Sequence, residues 1–174
     1  SVICPADITV NATAGLCGAA VSFNATTNDN CTGTSTISYS HAPGSFFQVG
    51  ETTVTVIASD NNGNSATCQF TVTVVDNQAP VINCPSNITV NNDPGQCEAV
   101  VDFVVTATDN CTALPVTIEY DIEPGSPFPV GTTTVTATAT DAAGNSSSCT
   151  FTVTVIVIYA LVSVLASLPT ITGT

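Results

Sequence analysis

Four cysteines recur in order along the chain, and this constrains its folding more than any other feature. Cys4, Cys17, Cys31 and Cys68 return as Cys84, Cys97, Cys111 and Cys149, three at an offset of 80 and the last at 81. The surrounding residues repeat as well. Cys4-Pro5 matches Cys84-Pro85, Asp29-Asn30-Cys31 matches Asp109-Asn110-Cys111, Gly63-Asn64 matches Gly144-Asn145, and Thr71 to Val74 matches Thr152 to Val155. The change of offset places one extra residue between the third and fourth cysteines of the second copy, near its Pro-Gly-Ser stretch. A duplication at this period predicts two similar small folded units in succession, an arrangement that serves reach, spacing or adhesion. The boundaries read from it are residues 1–76 and 77–155 for the two units, with an apolar C-terminal tail at 156–174.

Units of about 80 residues bury a modest share of their surface and often need covalent support. Every cysteine has a counterpart in the other copy, and an even count in small units reads as a disulfide framework in an oxidising, extracellular or cell-surface location. Zinc ligation fits poorly, because there is no C-x-x-C pair and the cysteine gaps are 12, 13 and 36 residues. The chain contains no Lys or Arg against 13 Asp and Glu, a formal charge of −13. It therefore cannot form a Lys or Arg salt bridge, and it repels phosphate-rich partners such as nucleic acid. No cofactor is required by any motif, and calcium is the one cation the acidic loops suggest. The opening Ser1-Val2-Ile3-Cys4-Pro5 begins near a repeat boundary, as a processed form or a piece of a longer array would.

Short alternating runs set the fold class. Ile8–Val10, Ala20–Phe23, Thr36–Tyr39, Phe46–Val49, Thr53–Ala58 and Cys68–Val74 read as strands, with the turn formers Asp60-Asn61-Asn62-Gly63-Asn64 closing a hairpin between the last two. Ile88–Val90, Ala99–Val105, Val116–Tyr120, Thr134–Ala139 and Cys149–Val155 repeat the series. This is an all-β chain of two tandem β-sandwiches. Alternation places Val54, Val56, Ala58, Phe70, Val72 and Val74 in the core and the intervening threonines in water. Four cysteines allow three connectivities. An antiparallel first pair of strands would bring Cys4 to Cys31 and leave Cys17 to Cys68, with Cys84–Cys111 and Cys97–Cys149 as the second set.

The combination of Cys-Pro before the first strand, Gly95-Gln96-Cys97, Asp-Asn-Cys, a Val-Gly then Thr-Val run, Asp-x-x-Gly-Asn, a Cys-x-Phe-x-Val-x-Val ending and the linker Asp76-Asn77-Gln78-Ala79-Pro80 resembles the hyalin repeat, or HYR domain, over residues 1 to 155. The resemblance implies an immunoglobulin-like sandwich of extracellular proteins, a role in adhesion or matrix structure, and no characteristic catalytic residues. After Val155 the linker pattern fails to recur.

Three groups of residues are candidate sites. Sandwich topology brings Asp109 and Asn110 to the same end as Asp141 and Asn145, where the linker residues Asp76 and Asn77 enter, and these six offer oxygen ligands for calcium. The competing reading is that turns require Asx and Gly. Asn11, Asn24, Asn30, Asn87, Asn110 and Asn145 stand in glycosylation acceptor patterns. The tail, with Ile156, Ile158, Leu161, Val162, Val164, Leu165 and Leu168, reads first as a subunit contact by strand addition, and otherwise as a packed helix or a membrane anchor. Catalysis has no supporting constellation, since His41 is the single histidine and has no counterpart. Taken together, these residues predict a structural or adhesive protein that self-associates into a filament through its tail. A carbohydrate- or receptor-binding module and a membrane-tethered stalk are the alternatives.

Overall fold

The computed structural model describes residues 1–28, 35–111 and 115–158. Among them there are strands and turns but no helix. The first repeat contributes β1 (Val2–Ile3), β2 (Ile8–Asn11), β3 (Gly18–Ala20), β4 (Thr26–Thr27), β5 (Ser35–Tyr39), β6 (Phe46–Gln48), β7 (Gly50–Asp60) and β8 (Ser65–Val75). The second contributes β9 (Val81–Asn83), β10 (Ile88–Asn91), β11 (Glu98–Val101), β12 (Thr106–Thr108), β13 (Thr117–Tyr120), β14 (Ser126–Pro129), β15 (Gly131–Thr140) and β16 (Ser146–Ile156). Each repeat has a four-stranded sheet, β2-β8-β7-β5 and β10-β16-β15-β13, and two short antiparallel pairs, β1-β4 with β3-β6 and β9-β12 with β11-β14. Packing divides the described chain into two compact units that cut across the second repeat. One holds Ser1–Asn83 with Val105–Glu119 and Ala137–Cys149; the other holds Cys84–Val104, Tyr120–Thr136 and the described residues from Thr150 onward.

The alternation read from sequence sets the faces. Val54, Val56, Ala58, Phe70, Val72 and Val74 are all buried, while Ile57, on the opposite face of β7, is exposed. In the first repeat these valines and Phe70 pack with Ala19, Val21, Phe23 and Phe47. Phe23 sits among Tyr39, Phe47 and Phe70, its ring centroid 5.6, 6.1 and 5.0 Å from theirs. Phe103 repeats the arrangement with Tyr120, Phe128 and Phe151 at 5.7, 6.5 and 4.9 Å. Tilted and edge-to-face rings at these distances add to the stabilisation from burial alone.

Two local readings shift. The ladder predicted over Ala20–Phe23 covers Gly18–Ala20, although Val21, Phe23 and Ala25 continue the buried alternation beyond it. The extra residue of the second copy falls earlier than the Pro-Gly-Ser stretch. Tyr39 and Tyr120 hold equivalent places and are already 81 apart, as are the left-handed turn glycines Gly44 and Gly125. The insertion therefore lies between Cys111 and Tyr120.

The hairpin predicted at Asp60–Asn64 forms, with Ser59 opposite Ser65 across it. Asp60 Oδ1 accepts from the backbone N–H of Asn62 and Asn64, at 2.8 and 2.9 Å, and Oδ2 accepts from Asn64 Nδ2 at 2.8 Å. Gly63 then closes the turn at φ 88°, a conformation that a Cβ would strain.

The expected cysteine connectivity is corrected. Cys4 bonds Cys68 instead of Cys31, and Cys17 bonds Cys111 instead of Cys68. Cys111 is thereby removed from the predicted bond to Cys84, and Cys97, unpaired, does not bond Cys149. Cys84 and Cys149 are both disulfide-bonded. The reason is strand direction. β2 runs parallel to β8 with Ile8 opposite Val72, an offset of 64, and the same offset carries Cys4 to Cys68. The antiparallel first pair assumed in the sequence reading does not form, because β2 joins the last strand. In the second repeat the parallel register of Ile88 with Val153 has the offset of 65 that separates Cys84 from Cys149. Cys31 lies outside the described residues.

Candidate functional site: the stapled linker end

The residues with most to do beyond the core gather in the first compact unit, around the linker Asp76–Pro80. The turn after β2 is closed by Leu16 N–H donating to Thr13 O at 2.8 Å, with Gly15 at φ 77°. Gln78 plugs this turn. Its Nε2 donates to Thr13 O at 3.2 Å and Leu16 O at 3.4 Å, and its Oε1 accepts from the Gly15 N–H. Asn110 Nδ2 donates to the Leu16 carbonyl at 3.1 Å, and the adjacent Cys111 bonds Cys17 with a Cα–Cα distance of 4.7 Å. At the two ends of the linker, Asn145 Nδ2 donates to Asp76 O at 3.2 Å and Ser147 Oγ donates to Pro80 O at 2.5 Å. Pro80 is fully buried. Side-chain hydrogen bonds to backbone therefore hold the linker at both ends, and one disulfide ties the turn that Gln78 plugs to the loop at Cys111.

The six predicted calcium ligands separate into groups. Asp76 and Asp109 converge, each with a carboxylate oxygen within 4.8 Å of the other and of Cys111 Sγ. Asp76 Oδ1 accepts from Gln78 N–H at 3.1 Å and Asp109 Oδ1 from Cys111 N–H at 2.8 Å. In each case Oδ2 is buried with no hydrogen-bond partner. Asp141 and Asn145 instead rebuild the hairpin lock of the first repeat. Asn145 N–H donates to Asp141 Oδ1 at 2.8 Å and Asn145 Nδ2 to Oδ2 at 2.9 Å, so both Asp141 oxygens are taken. Asn110 turns its amide to Leu16, and Asn77 is exposed. Asp29 and Asn30, the counterparts of Asp109 and Asn110, lie outside the described residues.

The two hairpin aspartates differ in environment. Hydrogen bonds from the Asn64 side chain and backbone hold the Asp60 carboxyl below its ordinary value of 3.8. Burial pushes Asp141 upward, but the side-chain and backbone hydrogen bonds of Asn145, with those of Ala143 and Gly144, outweigh it and leave Asp141 also below 3.8.

Of the glycosylation acceptors, Asn11, Asn24 and Asn87 are exposed. The amides of Asn110 and Asn145 are occupied in the hydrogen bonds above, and Asn30 lies outside the described residues. Ile156 and Ile158 are exposed at 49% and 56%, and Ile158 N–H donates to Asn92 Oδ1 at 2.8 Å. The remaining tail residues, Leu161, Val162, Val164, Leu165 and Leu168, lie outside the described residues. No described helix is long and apolar enough to cross a membrane. His41 packs against Phe47 at 5.5 Å with Ser40 Oγ 3.2 Å from Nδ1, which is a surface turn contact. Sequence reasoning missed Gln78, Leu16 and Ser147, whose roles depend on backbone carbonyls that leave no residue signature.

The repeated core, the parallel first-to-last strand pairing and the disulfides define a tandem immunoglobulin-like sandwich. A family model described as the HYR domain matches residues 1–74 and again residues 75–155, and the chain belongs to the HYR domain family. It is 33% identical over 134 residues to hyalin of Strongylocentrotus purpuratus, covering 75% of this chain and 11% of that protein. It is 38% identical over 131 residues to hyalin of Lytechinus variegatus, covering 72% of this chain and 24% of that protein. The chain thus spans under a quarter of the length of either relative. Among solved structures it is similar to human mucin-like protocadherin EC1-2, at 10% identity and a TM-score of 0.44, covering 91% of this chain and 99% of that one. It is also similar to protocadherin gamma B2 extracellular cadherin domains 1-5, at 14% identity and a TM-score of 0.42, covering 92% and 40%.

Proposed function

We propose that this chain is a non-enzymatic structural and adhesive element of an extracellular or cell-surface layer, made of HYR units joined covalently. The Cys17–Cys111 disulfide carries the reading. It fastens a turn of the first HYR span to a loop of the second, where a flexible linker would otherwise suffice. Disulfides of this number belong to an oxidising compartment. Family membership and likeness to the two hyalins support the adhesive role.

Self-association follows the same logic. Cys97, the sequence counterpart of Cys17, is exposed and unpaired, and Cys31 is the counterpart of Cys111. A bond from Cys97 of one copy to Cys31 of the next would repeat the internal staple. Each such bond forms by thiol–disulfide exchange: the two protein thiols pass two electrons and two protons to a low-molecular-weight disulfide, which leaves as two thiols. In an oxidised glutathione buffer the wild type should give a ladder on non-reducing gels, and Cys97→Ser should collapse it to monomer. A wild type that stays monomeric under oxidation rejects this mode of assembly. The exposed Ile156 and Ile158 favour a second contact through the apolar segment 156–174. Deleting that segment should shorten assemblies seen by negative stain; unchanged assemblies would remove the tail from the account.

A further inference from the structure

We infer that Asp76 and Asp109 form a binding site for a hard divalent cation, Ca²⁺ in the first instance. This goes beyond the structural role above and does not depend on it. Asp76 is only 5% exposed, although it carries a carboxylate. One of its oxygens is used by the linker turn at Gln78, and the other points into the protein with no donor. Asp109 repeats the pattern at Cys111. Two buried carboxylate oxygens without partners are costly, each at least the desolvation penalty of an unmade hydrogen bond. A salt bridge to Lys or Arg cannot relieve them, because the sequence contains neither.

The spacing suits calcium. Oxygen ligands lie 2.3–2.6 Å from Ca²⁺, so two on opposite sides of one ion stand up to about 5 Å apart. The nearest oxygens of Asp76 and Asp109 fall within 4.8 Å. Soft metals are disfavoured because the third neighbour, Cys111 Sγ, is closed in the bond to Cys17 and offers no thiolate. Two carboxylates supply only part of a calcium shell, leaving the rest to water. Affinity should therefore be in the range of extracellular modules, roughly 0.1–1 mM. The ion would join the linker residue Asp76 to the loop that carries the Cys17–Cys111 staple, tying a second cross-link to the same junction. Asp141 is not a ligand here, since Asn145 occupies both its oxygens.

The test uses the full chain, stripped with chelator and titrated with CaCl2, against NaCl at matched ionic strength. One Ca²⁺ should bind per chain by calorimetry, and 10 mM CaCl2 should raise Tm by roughly 5–10 °C beyond the NaCl control. Amide NMR shifts should move at residues 76–79 and 109–111. Asp76→Asn and Asp109→Asn should each weaken binding at least about tenfold, while Glu51→Gln, which removes an exposed charge on β7, should leave it unchanged. Should either Asn variant fail to fold, the wild-type shift map alone decides. Shifts absent from the two segments at 20 mM CaCl2, or a Tm rise reproduced by NaCl, would overturn the site. A MgCl2 response equal to that of CaCl2 would overturn the calcium assignment.

Discussion

Removing the staple with Cys17→Ala and Cys111→Ala together should cost the first compact unit about 4 kcal/mol. The bonded residues are 94 apart in sequence. The Cys4–Cys68 bond shortens the covalent path, because a route from 17 back to 4 and from 68 on to 111 spans 13 + 43 = 56 residues. Loop-closure entropy varies with the logarithm of length, so the shorter path lowers the stabilisation only slightly, from about 4.7 to about 4.2 kcal/mol. With a urea dependence of about 2 kcal/mol/M, the midpoint should fall by about 2 M. Alanine at both positions avoids leaving a reactive thiol, and the Cys4–Cys68 bond stays as the internal control. The assay is urea unfolding without reductant, followed by disulfide mapping of the wild type under acid quench. A midpoint shift under about 0.5 M, or peptides linking Cys17 to Cys68 or Cys31, would refute the reasoning.

Phe23→Ala removes the ring that meets Tyr39, Phe47 and Phe70, and should cost about 3–5 kcal/mol in a thermal or urea melt. Phe103→Ala should match it within about 1 kcal/mol, because the cluster is duplicated. Gly18→Ala should destabilise strongly, since a Cβ there would run into the Phe47 carbonyl and the Phe46 ring, whereas Glu98, its counterpart, should accept Ala with little change in Tm. Asp60 and Asp141 both sit below 3.8 when folded, so the stability they contribute is present above that pH and is lost as the pH falls through their lowered folded values. Tm should hold level at pH 5–7 and fall below about pH 4, and carboxyl NMR titration should place both groups under 3.8. Normal titration of either would contradict the hairpin lock.

Much of this was legible in the residues because it depends on local pattern. Period-2 alternation needs no partner to be read, so Val54, Val56, Val72 and Val74 were assignable to the core directly. The Asp60–Asn64 hairpin was equally local, since Asx oxygens and a left-handed glycine act over five residues. The duplication carried one repeat's reading to the other and with it the family. The acidic end was half legible. Topology grouped Asp76, Asp109 and Asp141, but whether a carboxylate oxygen is free or spent on an asparagine is decided by side-chain placement.

Composition and periodicity alone determined an all-β, cystine-bearing, doubled sandwich, because alternation and turn chemistry act between near neighbours. Tertiary structure decided which cysteines meet. The spacing of four cysteines is the same whether the first strand runs with or against its partner, and only the parallel register of β2 on β8 brings Cys4 to Cys68 and leaves Cys17 for Cys111. The two orphaned oxygens of Asp76 and Asp109 also depend on long-range placement, which brings a linker and a loop 33 residues apart in sequence into one buried site.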